Sequence, residues 1–82
     1  MIKREEAQKI IENAKLRFIS LGGSSVELVD VENDNLKLKL NCPNGSTMFK
    51  VAGKKVTMED EVKKEVEKII KNNLKNANII FV

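Results

Sequence analysis

An 82-residue chain of 9.2 kDa, with 41% hydrophobic and 33% charged residues, has the composition of one small folded domain and not of a disordered segment. Its single cysteine excludes an internal disulfide, and the absence of histidine excludes a conventional zinc site within one chain. The net charge is only +3, and neither Trp nor Tyr is present to stack on bases. We therefore expect one domain over residues 1–82, with nucleic acid an unfavoured partner.

The location of the protein follows from features that the sequence lacks. No apolar run approaches the length of a membrane span, and "MIKREEAQKI" has no continuous hydrophobic stretch of the signal-peptide type. A fold without disulfides also needs no oxidising compartment. The sequence thus predicts a cytoplasmic protein with no membrane partner.

The first predicted element is an amphipathic helix of about four turns, because apolar residues recur at helical spacing between charged ones. Gly22 or Gly23 in "LGGSS" is expected to end it, since glycine readily adopts the left-handed conformation that closes a helix. The apolar residues of this helix are Ala7, Ile10, Ile11, Ala14 and Phe18.

Two strands are predicted next. "VELVDV", Val26–Val31, is rich in β-formers, and "LKLKL", Leu36–Leu40, alternates leucine with lysine. "ENDN" between them supplies turn residues, so the strands should form an antiparallel hairpin. Glu27 and Asp30 are three residues apart, which predicts that they point to opposite faces and do not pair for acid–base chemistry.

The second half of the chain is predicted to contain a turn, a strand, a helix and a final strand. "CPNGS" has turn chemistry and "TMFKVAG" has a strand pattern. Thr57 followed by Asp60 resembles a capping box at the start of a helix. "IIFV" at the end is expected to be a strand buried on both faces. The apolar residues of the second helix are Met58, Val62, Val66, Ile69, Ile70 and Leu74.

The predicted order is therefore α-β-β-β-α-β. This order favours an α+β fold, a two-layer sandwich with a three- to four-stranded mixed sheet and two helices on one face.

The segment "GGSSVELVDVENDNLKLKL" followed by "CPNGSTM" resembles the C-terminal domain of NifU and its relatives, which are scaffold proteins for iron–sulfur cluster assembly. That family has a helix, a Gly-Gly turn, a V-E-L-V-D-V strand, an alternating strand, a C-x-x-C-P-S-S-T-M loop, a helix and a last strand. The match is sharpest from Leu21 to Met48. It implies a non-enzymatic role in which C-x-x-C pairs of several chains hold a cluster.

The chain departs from the family in two ways. It has one motif cysteine, so Cys42 corresponds either to the second cysteine or to the first, with Gly45 in the place of the other. About ten additional residues, "FKVAGKKVTM", separate the loop from the second helix. This insertion is expected to remove the helix N-terminus from the neighbourhood of the loop, and with it a dipole that favours thiolates and anions.

The resemblance makes Cys42 the candidate ligand for iron, the candidate persulfide carrier or the candidate hand-over thiol. The alternative is that Cys42 is a small, partly buried apolar residue, as free cysteines often are. The supporting loop residues are Pro43, Asn44, Gly45, Ser46 and Thr47. Iron–sulfur clusters commonly need four thiolates, so a cluster here requires a homo-oligomer or ligands from an assembly or client protein.

Two other functions remain open on the sequence. The first is a protein-interaction module that kept the fold without a cluster, and the second is a weak nucleic-acid-binding domain. A basic stripe across the exposed sheet face is a candidate partner surface. The alternative is that these lysines only keep an exposed sheet edge solvated and prevent its aggregation. The lysines concerned are Lys37, Lys39, Lys50, Lys54 and Lys55.

Overall fold

The computed structural model describes all 82 residues and has three helices and five strands. In chain order they are α1 Arg4–Asn13, α2 Lys15–Ile19, β1 Ser25–Glu32, β2 Asn35–Asn41, β3 Met48–Val51, β4 Lys54–Thr57, α3 Met58–Asn73 and β5 Asn78–Phe81. The predicted α+β class is confirmed. None of the helices has the length and apolar character needed to cross a membrane.

The predicted first helix is present but is interrupted at Ala14, whose φ of −95° and ψ of 2° separate α1 from α2. The interruption leaves the apolar stripe intact, because Ala7, Ile11 and Phe18 are all buried. Gly22 and Gly23 follow α2 with φ of +72° and +71°, as the left-handed closing turn requires.

The main sheet has the strand order β1-β2-β5. β1 and β2 are antiparallel and are joined by the predicted turn, whereas β5 runs parallel to β2 with Ile79 beside Leu36 and Phe81 beside Leu38. The prediction that the last strand is buried on both faces is wrong. β5 is an edge strand and helices cover only one face of the sheet, so Ile80 on the other face is 41% exposed.

A β-bulge interrupts β1 at Val29 and changes which residues share a face. Leu28 pairs with Leu38, but the next pair joins Asp30 to Lys37. The additional residue places Asp30 on the same face as Glu27, which pairs with Lys39. The expectation that the two acidic residues face opposite ways is therefore wrong, and each lies directly across from a lysine on the exposed face.

The core lies between the helices and the other face of the main sheet. It contains apolar residues from all three helices, from β1 and β2, and from the turn before β5. Leu36 and Leu38 of the central strand are fully buried, and Val62, Val66 and Ile70 form the inward stripe of α3. The complete cluster is Ala7, Ile11, Ala14, Phe18, Leu28, Leu36, Leu38, Val62, Val66, Ile70 and Ala77.

The third predicted strand exists, but it is half of a separate hairpin that the predicted element order lacks. β3 pairs only with β4, antiparallel, through a two-residue turn at Ala52 and Gly53. This β3–β4 hairpin, Met48–Thr57, accounts for nearly all of the inserted segment. It adds a two-stranded sheet beside the three-stranded main sheet.

The Ala52 turn leads to a test of local stability. Ala52 and Gly53 have φ of 52° and 82°, the pattern of a type I′ turn, in which Asn is preferred to Ala at the first central position. We expect Ala52→Asn to stabilise the hairpin by about 1 kcal/mol and to slow amide exchange there about fivefold. Ala52→Val should accelerate exchange, because a β-branched side chain is strained at positive φ. Equal exchange rates in the two variants would contradict this account.

Candidate functional site

The loop Cys42–Thr47 is held by hydrogen bonds on two sides. The Gly45 carbonyl accepts a bond from the Glu59 N–H at 3.1 Å, and the Thr47 carbonyl accepts one from the Met58 N–H at 2.8 Å. On the other side, Asn44 Nδ2 donates to the Gly22 carbonyl at 3.2 Å. The loop is thereby fixed between the N-terminus of α3 and the Gly-Gly turn.

The β3–β4 hairpin does not move the loop away from α3, although the sequence predicted that the additional residues would do so. The hairpin leaves the loop at Met48 and returns at Thr57, and these two residues are paired across the ribbon. Chain entry and exit are therefore adjacent, and α3 begins beside the loop. The expected loss of a neighbouring helix N-terminus is wrong for this reason.

The first N–H groups of α3 are nevertheless occupied. Those of Met58 and Glu59 donate to loop carbonyls, and that of Asp60 donates to Thr57 Oγ1 at 3.2 Å, which confirms the predicted cap. An anion at this end would also meet three consecutive acidic residues, Glu59–Glu61. The helix end therefore positions the loop and does not offer an open anion site.

Cys42 lies at the start of the loop and is partly buried against the core. Its Sγ is 3.1 Å from the hydroxyl oxygen of Ser24, which is itself fully buried. The same hydroxyl is 2.6 Å from the Leu21 carbonyl. The sulfur thus sits at the end of a short polar chain that continues into the turn after α2.

The Ser24 hydroxyl has one proton and lies within hydrogen-bonding distance of two acceptors, the Leu21 carbonyl oxygen and Cys42 Sγ. It can donate to only one of them at a time, so the sulfur shares this donor with the Leu21 carbonyl.

The structure also bears on where a second cysteine would be placed. A β-carbon built on Gly45 lies 3.5 Å from the β-carbon of Cys42, close to the separation found in bonded cysteine pairs. Lys39, the alternative position, projects from the exposed face of the sheet, whereas Cys42 packs on the core side. Side chains at 42 and 45 thus start close together, whereas side chains at 39 and 42 start on opposite sides of the sheet. Position 45 is thus the geometric partner of Cys42.

The residues present do not form a cluster site within one chain. There is one thiol, and nowhere in the structure do three His, Cys, Asp or Glu side chains come together as metal ligands. Asp34, a carboxylate that is near Cys42 in the sequence, lies in the β1–β2 turn at the opposite end of β2 and is not a neighbour of the sulfur. None of the surface pockets is lined by Cys42. A four-thiolate cluster therefore cannot be resident on a single copy.

The remaining candidate residues separate into three groups. Pro43, Ser46 and Thr47 are exposed on the outer side of the loop. Lys37 and Lys39 lie on the exposed face of the main sheet. Three more lysines, Lys50, Lys54 and Lys55, belong to the β3–β4 hairpin, so the five lysines do not form one stripe on one sheet.

Two contacts of the site have no signal in the sequence. The Ser24 hydroxyl bond to Cys42 and the Asn44 amide bond to Gly22 join segments about twenty residues apart. "GGSS" indicates only a helix-ending turn, yet its first serine is the one fully buried polar residue. A serine following two glycines gives no signal of its partner, because the partner is fixed by the pairing of β1 with β2.

The chain matches no protein-family model, no curated protein and no solved structure at a significant level. The resemblance to the NifU C-terminal domain therefore depends on the residues between Leu21 and Met48 and on the order of the elements around them.

Proposed function

We propose that the protein is a non-catalytic iron–sulfur assembly or carrier domain that contributes one thiol, Cys42, to a cluster shared with other chains. The cluster is cargo in this proposal and not a resident cofactor. The remaining thiolates come from further copies of the chain or from an assembly or client protein. The protein would be a divergent relative of the NifU C-terminal domain.

One observation carries the proposal: the Cys42 loop lies between the Gly-Gly turn and the N-terminus of α3, and the β3–β4 hairpin leaves and rejoins the chain beside it. Apart from the β3–β4 hairpin between the cysteine loop and α3, the helices, Gly-Gly turn, antiparallel strands, loop and last strand have the order that the resemblance implies. The loop bonds to both flanking elements through Gly45, Thr47 and Asn44.

The proposal also specifies an assembly. Each copy offers one thiol, so four copies, or fewer copies with external thiols, complete a four-thiolate set. Since Cys42 is partly buried, the partner sulfurs must approach from the exposed side of the loop, where Pro43 and Ser46 lie. The Ser24 hydroxyl supplies one donor to the ligating thiolate.

Anaerobic reconstitution with ferrous iron and sulfide tests the proposal. We expect a brown, iron- and sulfide-containing species that carries more than one protein chain in native mass measurements. Cys42→Ser should reduce bound iron at least about tenfold, because no other thiol is available. Pro43→Ala keeps the thiol and serves as the loop control. A wild-type protein that stays colourless at every concentration, with and without added glutathione, would overturn the proposal.

A second candidate function, a protein-interaction module independent of the thiol, is favoured by the β3–β4 hairpin. Its apolar side chains include Met48, 61% exposed, and Val51, 42% exposed. No residue of the hairpin belongs to the core or packs against it as a partly buried apolar side chain. Partner binding that survives Cys42→Ser would distinguish this function from the first.

A further inference from the structure

The β3–β4 hairpin carries charges of one sign only. Three of the fifteen basic residues and none of the twelve acidic residues lie between Met48 and Thr57. The rest of the chain therefore carries equal numbers of both signs, and the hairpin accounts for the whole net charge of +3. A uniform charge on one element favours a partner of opposite sign.

The hairpin lysines are not neutralised within the molecule. The ion pairs of the structure involve Met1, Arg17, Lys63 and Lys64, and none involves the hairpin. Lys50 and Lys55 are moreover paired directly across the ribbon. Like charges in this position destabilise a strand pair, so an added negative charge beside them would be stabilising.

The hairpin is also an incomplete sheet. β3 and β4 pair only with each other, which leaves the outer edge of each strand without a neighbour. A two-stranded hairpin by itself is marginally stable in water, and a third strand improves it. The unpaired backbone groups on these edges are those that an extended peptide uses when it joins a sheet.

The two faces of the ribbon differ in chemistry. The register places Lys50 and Lys55 on one face, with Met48 and Thr57. Phe49, Val51 and Val56 lie on the other face, together with Lys54. A strand added at either edge would place alternate residues beside the lysine pair and beside the apolar residues.

We propose that the β3–β4 hairpin binds an extended segment of a partner protein in which acidic and apolar residues alternate, and that this segment pairs as a third strand. The acidic residues then lie beside Lys50 and Lys55, and the apolar residues extend the face formed by Phe49, Val51 and Val56. This inference rests on the second proposed function and does not involve Cys42.

Two other occupants fit the hairpin less well. A nucleic acid would use stacking side chains beside the lysines, but Phe49, the hairpin's one aromatic residue, shares its face with only one of them, Lys54. A second copy of the chain would offer its acidic strand β1, whose outer edge is open, as the third strand. The bulge at Val29 interrupts that edge, and this opposes regular pairing with the hairpin.

Fluorescence anisotropy with a short, capped, labelled peptide of alternating Glu and Val tests the inference. We expect saturable binding that weakens with added salt. A peptide of the same composition, with its glutamates and valines in separate blocks, should bind at least about fivefold more weakly, because it cannot match both faces. N-methylation of alternate backbone amides should weaken binding to a similar extent, because it removes the pairing bonds.

The protein variants separate local from general electrostatics. Lys50→Glu/Lys55→Glu should weaken peptide binding by about tenfold or more. Lys9→Glu/Lys15→Glu changes the net charge equally at exposed helical sites and should change binding by less than about twofold. Cys42→Ser should bind as the wild type does. Circular dichroism and native mass establish that each variant is folded and report its oligomeric state.

Several outcomes would overturn the inference. They are equal loss of binding in both double variants, equal binding of the alternating and blocked peptides, and equal binding of a single-stranded oligonucleotide at the same salt concentration. A wild-type oligomer that dissociates only in Lys50→Glu/Lys55→Glu would identify a second copy as the occupant instead. None of these measurements uses iron or sulfide. A negative result for peptide binding therefore does not bear on the cluster proposal, which anaerobic reconstitution tests separately.

Discussion

Replacing Leu36 with alanine should lower the free energy of unfolding by about 3–4 kcal/mol and the melting temperature by about 15–25 °C. Leu36 is fully buried on the central strand, with Val31 across from it on β1 and Ile79 beside it on β5. The truncation removes apolar contacts and leaves a cavity where the strands and helices meet. For a domain of this size, with a total stability of about 4–12 kcal/mol, the variant should be partly unfolded near physiological temperature.

Leu16→Ala is the matched control, because the same atoms are removed from a side chain that is 81% exposed. Its stability should remain within about 0.5 kcal/mol of the wild type. Thermal and urea unfolding followed by circular dichroism measure both variants. Similar losses of stability in the two variants would mean that Leu36 is not at the centre of the packed core.

Introducing a second thiol at position 45 should raise iron–sulfur cargo binding well above that of the wild type. Gly45→Cys creates a C-x-x-C sequence, and its β-carbon would lie 3.5 Å from that of Cys42. Two chains would then supply four thiolates, so the reconstituted species should shift towards a dimer with several-fold more iron per chain. Iron and sulfide analysis with native mass measures both quantities.

The substitution at position 45 carries a structural cost that must be separated from its effect on binding. An added β-carbon there meets the Cys42 carbonyl oxygen at 3.1 Å and the Glu59 β-carbon at 3.3 Å, so the loop must move by a few tenths of an ångström. Gly45→Ser introduces nearly the same volume without a thiol and is the control for this strain. Lys39→Cys adds a thiol on the other face of the sheet and should give no gain. A gain from Lys39→Cys that equals or exceeds that from Gly45→Cys would contradict the assignment.

Local patterns in the sequence predicted most elements of the fold. The leucine–lysine alternation of β2, the cap at Thr57 and the glycines after α2 each act within a few residues, and the structure has all three. The wrong predictions concern features that tertiary contacts determine, namely which face a residue occupies and how exposed it is. The bulge at Val29 is invisible to a strict period of two, and the exposure of Ile80 depends on β5 being an edge strand.

The candidate site was predictable in position but not in geometry. "CPNGS" could be recognised as the loop with the only thiol, but its bonds to Gly22 and Glu59 join parts of the chain that only the completed fold brings together. The sequence predicted only the first strand of the hairpin, since "TMFKVAG" has a strand pattern. The Ala-Gly turn was missed because alanine is not a residue that signals positive φ.

The adjacency of Thr47 and Met58 has a consequence for the evolution of the chain. Thirty-six residues separate β2 from β5, and removing ten of them would lower the entropy cost of closing that connection by only about 0.3 kcal/mol. A self-contained ribbon whose two ends meet can therefore be gained, lengthened or lost at this point with little penalty to folding. We expect natural and engineered variation in chain length to concentrate here, and a foreign peptide grafted between Val51 and Lys54 to be displayed without disturbing the packed layers.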